Sequence, residues 1–159
     1  MLPFSVTEYL HLLSAFVFVG ALFATHWNTL AARRTSNWGE RAGYYELNRR
    51  IAIVFSLPAL IATGILGNLL AVQLGYRMSE ARSLQIVTAL WLLTLIVALA
   101  IDVPASSRLA TLARGAANAA NGGEPVEWGA TLGRWRFGNG LMLALFLVLL
   151  LFMVSTWRH

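Results

Sequence analysis

The stretch Thr7–Ala31, TEYLHLLSAFVFVGALFATHWNTLA, is too long and too apolar to be anything but a membrane span. Three more of its kind follow at Ile51–Gln73, Leu84–Ile101 and Gly140–Trp157. Each is near the ~20 residues that a helix needs to cross a hydrocarbon layer of ~30 Å. Runs of Leu, Ala, Ile and Phe without strand-like polar alternation satisfy their own backbone groups in lipid as helices. The expected fold is therefore all-α, an antiparallel bundle of four transmembrane helices. It forms a single domain over residues 1–159, with short interfacial helices in the cytoplasmic loops.

Composition supports this reading. The chain is 58% hydrophobic and 12% charged, with a mean hydropathy of +0.65, whereas about a quarter of a soluble domain is charged. The first span does not look like a removable signal sequence: no basic segment precedes it, its apolar run is too long, and a small-residue cleavage pattern is missing. Met1–Val6 is expected to survive as a short tail. The absence of cysteine excludes disulfides, thiolate chemistry and Cys-based metal sites.

A formal charge of +5 and a pI near 10.7 could indicate a nucleic-acid binder, but the arginines are placed otherwise. Arg33, Arg34, Arg41, Arg49 and Arg50 fall in the first loop, and Arg108, Arg114, Arg134 and Arg136 in the third. Only Arg77, Arg82 and Arg158 fall on the opposite side. The positive-inside rule then makes the first and third loops cytoplasmic and both termini periplasmic in a bacterial inner membrane. The expected partners of these arginines are membrane lipids with anionic headgroups, and no nucleic acid.

The connecting segments carry their own signals. Thr35, Ser36, Asn37 and Gly39 break the first loop, and Glu40–Arg50 is expected as a short surface helix leading into the second span. Pro58 should kink that span, because it removes a ladder bond and crowds the carbonyl four residues back. Ala59, Thr63 and Gly67 form a small-residue stripe that lets another helix approach closely. Asp102, Val103 and Pro104 are expected to end one helix and start another. An Ala-rich stretch, Ala105–Asn118, follows, and Asn121, Gly122, Gly123 and Pro125 then break the chain. Trp128, Arg134, Trp135 and Arg136 suit the headgroup region as aromatic and basic anchors.

Ionisable groups inside spans are expensive enough to be functional candidates. His11 and His26 are separated by fifteen residues, roughly 22 Å of helix at 1.5 Å per residue, so they do not share a metal or a haem. Aligning the spans brings His11, Ser14, Asn68, Gln85, Thr88 and Met153 to similar depth in the outer half. A His and a Met on different helices at one depth form an axial pair for haem iron, and a single His also suffices. In the bland alternative His11 bonds a backbone carbonyl or Asn68, and Met153 only packs. At the inner side Asp102 is expected to pair with Arg49 or Arg50 as a structural ion pair fixing the second and third spans, while His26 beside Trp27 reads as a belt residue. No P-loop, dinucleotide fingerprint, Ser-His-Asp set or catalytic carboxylate pair is present. The middle of the bundle lacks the carboxylate on which proton-coupled carriers rely.

The opening YLHLLSAFVFVGALFATHW, with IDVPASSRLATLA after the third span and RWRFGNG before a final LFMVSTW, resembles a bacterial family of four-span predicted integral membrane proteins. More remotely, the first span is similar to the opening helix of HemJ-type protoporphyrinogen oxidases and CopD-like copper proteins. In those a histidine near the outer end of the helix is implicated in haem or metal binding. That resemblance implies a ligand role for His11 and, more weakly, for Met153. Families of this kind often close on Met-Val-x-Lys-Pro, whereas this chain has Met153, Val154, Ser155, Thr156 and Trp157, so a role needing that lysine does not transfer.

The residues together point to a binding or accessory role rather than an enzyme. A b-type haem or a quinone-like ligand would sit near His11 as axial or metal ligand, with Met153 as a second ligand and Asn68 and Gln85 orienting the ring. One alternative is a structural subunit of a homo-oligomer or larger membrane complex, packing through Ala59, Thr63 and Gly67. Another is a membrane oxidoreductase acting on a porphyrin or quinone.

Overall fold

Two prolines shape the molecule. In a regular helix Pro58 would leave a carbonyl one turn back without its donor and press its ring against it. Ala52–Ser56 instead opens into a π turn, in which Leu57 N–H donates to Ala52 O. Pro104 is met in the same way: Ala98–Asp102 is a π turn, and Val103 N–H donates to Ala98 O. Each widened turn lies just ahead of its proline and lets the helix continue through it. Ser56 and Asp102 occupy the same place in the two turns, and both side chains are buried.

The computed structural model describes residues 3–77, 82–119 and 123–156, the last three as backbone only. Met1 and Leu2 of the expected tail, residues 78–81 between the second and third spans, the breakers Asn121 and Gly122, and Trp157 and Arg158 lie outside the described residues. Six α-helices result: α1 Phe4–Arg34, α2 Trp38–Ile51, α3 Leu57–Gln73, α4 Arg82–Val97, α5 Val103–Asn118 and α6 Trp128–Thr156. The π turns fuse α2 to α3 and α4 to α5, giving four rods, each long and apolar enough to cross a membrane. The helices expected in the two arginine-rich loops are thus present as extensions of the spans. Asp102–Pro104 bends no chain into a new helix.

The fused rods of 36 and 37 residues measure roughly 54 and 55 Å at 1.5 Å per residue, well beyond a ~30 Å hydrocarbon layer. The excess lies at the arginine-rich end, where Asn37 caps α2 by accepting from Gly39 N–H and Glu40 N–H. A second core forms there. Trp128 makes edge-on contacts with both Trp38 and Tyr45, each at a centroid distance of 5.0 Å. Ala105, Leu109 and Ala113 of α5 pack with Tyr45 and Trp135. Trp128 and Trp135, expected as headgroup anchors, are therefore core residues, 6% and 1% exposed. Arg134, Arg136 and Phe137 remain outside.

Within the spans, α1 packs most extensively on α3 and α4 on α6. Phe18, Leu22, Leu60, Val97, Met142 and Phe146 form the membrane core. Leu12, Phe16, Phe23, Ile65, Leu92, Ile96 and Leu151 face outward, as lipid-facing side chains do where the solvent is hydrocarbon.

Candidate functional site around His11

The small residues of α3 seat α1. Ala59 is buried, Thr63 Oγ1 donates to Ser14 Oγ at 3.0 Å, and a Cβ on Gly67 would lie 2.9 Å from His11 Cε1. The stripe thus lets the chain's own first helix approach closely, as packing within the bundle requires, and is not left open for another protein. On its other side Gly64 admits Trp91, whose Nε1–H donates to Leu60 O at 2.9 Å. A Cβ at Gly64 would overlap the Trp91 indole.

His11 is 8% exposed, and its Nδ1 lies 2.9 Å from Thr63 O. A carbonyl only accepts, so this bond puts the proton on Nδ1 and leaves the lone pair on Nε2. No described residue bonds Nε2. A backbone-carbonyl bond is what the bland alternative expects of His11, and it is also how a ligating histidine is commonly held.

The other expected residues divide. Asn68 donates through Nδ2 to Gly64 O and accepts from Thr88 Oγ1 at 3.1 Å, tying α3 to α4. The carbonyl that orients His11 comes from Thr63 instead, because Asn68 spends its amide on its own helix and on α4. Gln85 is exposed on α4. For Met153 the register bears on depth alone: Thr25 meets Asn139 and Phe18 meets Phe146. These are steps of seven residues, two turns, along antiparallel α1 and α6. Continued one further step, the same register would put position 153 at the depth of position 11.

At the arginine-rich end Arg49 and Arg50 reach Glu46, at 2.7 and 3.4 Å, not Asp102. Glu46 lies one turn away on the same helix, and Arg114 of α5 also approaches it at 3.7 Å. Hydrogen bonding to Arg49, outweighing burial, holds the Glu46 carboxyl below the usual carboxylate range. Asp102 is 4% exposed, and its Oδ1 accepts no hydrogen bond among the described residues.

A buried polar belt joins α1, α2 and α6. Asn48 Nδ2 donates to Thr25 O and Thr29 Oγ1, and Asn139 Nδ2 to Thr25 Oγ1. Asn48 Oδ1 and Ser106 Oγ, also buried, have no hydrogen-bond partner among the described residues. Sequence reasoning missed Thr25, Asn48, Ser106 and Asn139. Their only signal is polarity at buried helical positions, and the partners lie up to 114 residues apart. His26 and Trp27 are exposed.

Among the described residues no three His, Asp or Glu side chains come together to hold a metal ion. No curated protein and no solved structure matches the chain. The family model of predicted integral membrane proteins DUF2269 matches residues 5–156, almost the whole chain, and the protein belongs to that family.

Proposed function

We propose that this protein is a non-catalytic membrane binding protein that holds a b-type haem at its His11 end. His11 Nε2 is the axial ligand and Met153 the second. The observation that supports this reading is the Nδ1–H bond from His11 to Thr63 O, which presents an Nε2 lone pair with no described partner. A bare metal ion would need several protein ligands, and the described residues offer His11 without a surrounding set. A haem supplies its own equatorial nitrogens and needs from the protein one or two axial groups. Arginine asymmetry favours an inner membrane with the His11 end toward the periplasm.

Haemin titrated into detergent-purified protein tests the reading. The wild type should develop a Soret band that saturates, and His11→Ala should not. Met153→Leu should still bind but with a lower reduction potential, since a methionine axial ligand raises it. A His11→Ala spectrum identical to wild type removes His11 from the role. Colourless protein that co-purifies with other chains in mild detergent would favour the structural-subunit reading.

A further inference from the structure

A groove of about 390 Å³ runs between α1 and α6 at the arginine-rich end, away from His11. Leu22, Phe23 and Leu143 line its deeper part, and Arg33, Arg136 and His26 line the end nearest the headgroups. No carboxylate is among its lining residues. From Leu22 to Arg33 is eleven residues, roughly 16 Å of helix, about half the thickness of a bilayer's hydrocarbon core. Phe23 is 60% exposed, so the groove lies at the lipid-facing surface.

What sets this groove apart from the rest of that end is two arginines on its rim above an apolar lining. Arg49, Arg50 and Arg114 are met by Glu46, and Arg108 by Glu127. Arg33 and Arg136 have no carboxylate partner among the described residues. One comes from α1 and the other from α6, and both line the groove. Arg34, Arg41 and Arg134 likewise have no carboxylate partner among the described residues but do not line it. Two guanidinium groups above an apolar slot one acyl chain deep match an anion attached to a hydrocarbon tail.

We infer that the α1–α6 groove is a binding site for one anionic phospholipid. Its phosphate is held by Arg33 and Arg136, and an acyl chain lies along Leu22, Phe23 and Leu143. Gly140 also lines the groove and leaves its floor open: a Cβ there meets no atom within 4 Å. A larger side chain can therefore be started at 140, on the groove's lining, without an initial clash.

Native mass spectrometry of detergent-purified protein with phosphatidylglycerol or phosphatidylcholine of identical chains is the test. Wild type should retain one phosphatidylglycerol in preference to phosphatidylcholine. Neutralising one arginine should weaken retention about five-fold, and Arg33→Gln with Arg136→Gln about thirty-fold, from ~1 kcal/mol per basic residue. Gly140→Leu should lose the lipid with both arginines in place, while Arg34→Gln, exposed and outside the groove, should leave it unchanged. Equal retention of the two lipids, retention by the double variant, or an equal loss in Arg34→Gln would each overturn the site. The double variant changes only exposed side chains, so the test stands even if Gly140→Leu fails to fold.

Discussion

Nδ1 of His11 lies 2.9 Å from the carbonyl oxygen of Thr63, fifty-two residues away in sequence, and this bond both locks α1 onto α3 and decides which ring nitrogen is available. Thr63 is occupied through its hydroxyl as well, whose single proton is shared between Ala59 O at 2.8 Å and Ser14 Oγ at 3.0 Å. Small side chains at 59, 63 and 67 bring the two helices close enough for a histidine ring to reach a helix carbonyl. Tautomer and helix packing are consequences of one contact.

Gly67→Ala should disturb His11 without removing it. The new methyl would sit 2.9 Å from Cε1, so the ring must shift and its bond to Thr63 must lengthen. The expected loss of stability is about 1–3 kcal/mol. Thermal melting in detergent measures it, and the variant's haemin affinity should fall with it.

Gly64→Ala should be more damaging than its small size suggests. Its methyl overlaps the Trp91 indole, which must leave its place and break the bond to Leu60 O. A loss of about 3 kcal/mol or more is expected from overpacking and the orphaned indole N–H together. Gly20→Ala is the matched control, since a Cβ there meets nothing; it should gain up to about 1 kcal/mol of helix propensity. Equal melting temperatures for the two variants would contradict the close approach.

Asp102→Asn should stabilise the fold near neutral pH. The wild-type carboxyl is almost wholly buried and its Oδ1 accepts nothing, a position where charge is costly and shape is what packs. An amide keeps the shape. A lower melting temperature for Asp102→Asn would show that the carboxylate itself is needed there.

Glu46 supplies a pH dependence whose sign is fixed. Its carboxyl is held low chiefly by Arg49, so its contribution is present above the ordinary carboxylate range and is lost as pH falls through the lowered folded value. Glu46→Gln should melt lower than wild type at neutral pH, and the two should converge in acid. A gap that persists or widens in acid would assign the effect to packing.

The spans were legible because hydrocarbon solvent leaves few choices: a run such as LFLVLLLF, residues 145–152, is helical in lipid whatever surrounds it. Pro58 and Pro104 were legible as perturbations, but the remedy was not. Whether a proline breaks, kinks or widens a helix depends on what packs beside it, and here α1 and α6 hold both rods continuous. Trp128 and Trp135 misled because aromatic residues beside arginines look alike whether they anchor in headgroups or fill a core. Only the overhang of α2 and α5, which gives them something to pack against, makes them core. His11 was found through its rarity in an apolar span. A backbone carbonyl was among its expected partners, but that it belongs to Thr63 was not legible, since a carbonyl leaves no mark in a sequence. Asn48, Thr25 and Asn139 stayed hidden for a related reason: each is unremarkable alone, and three helices must meet before they form a belt.

The reduced-minus-oxidised absorption spectrum of the wild type and His11→Ala, each purified in mild detergent with haem supplied during expression, tests the His11 assignment most directly. Wild type should show the bands of a six-coordinate b-type haem that disappear in His11→Ala, with the variant still folded by circular dichroism. A featureless wild-type spectrum, or one that His11→Ala leaves intact, would contradict it.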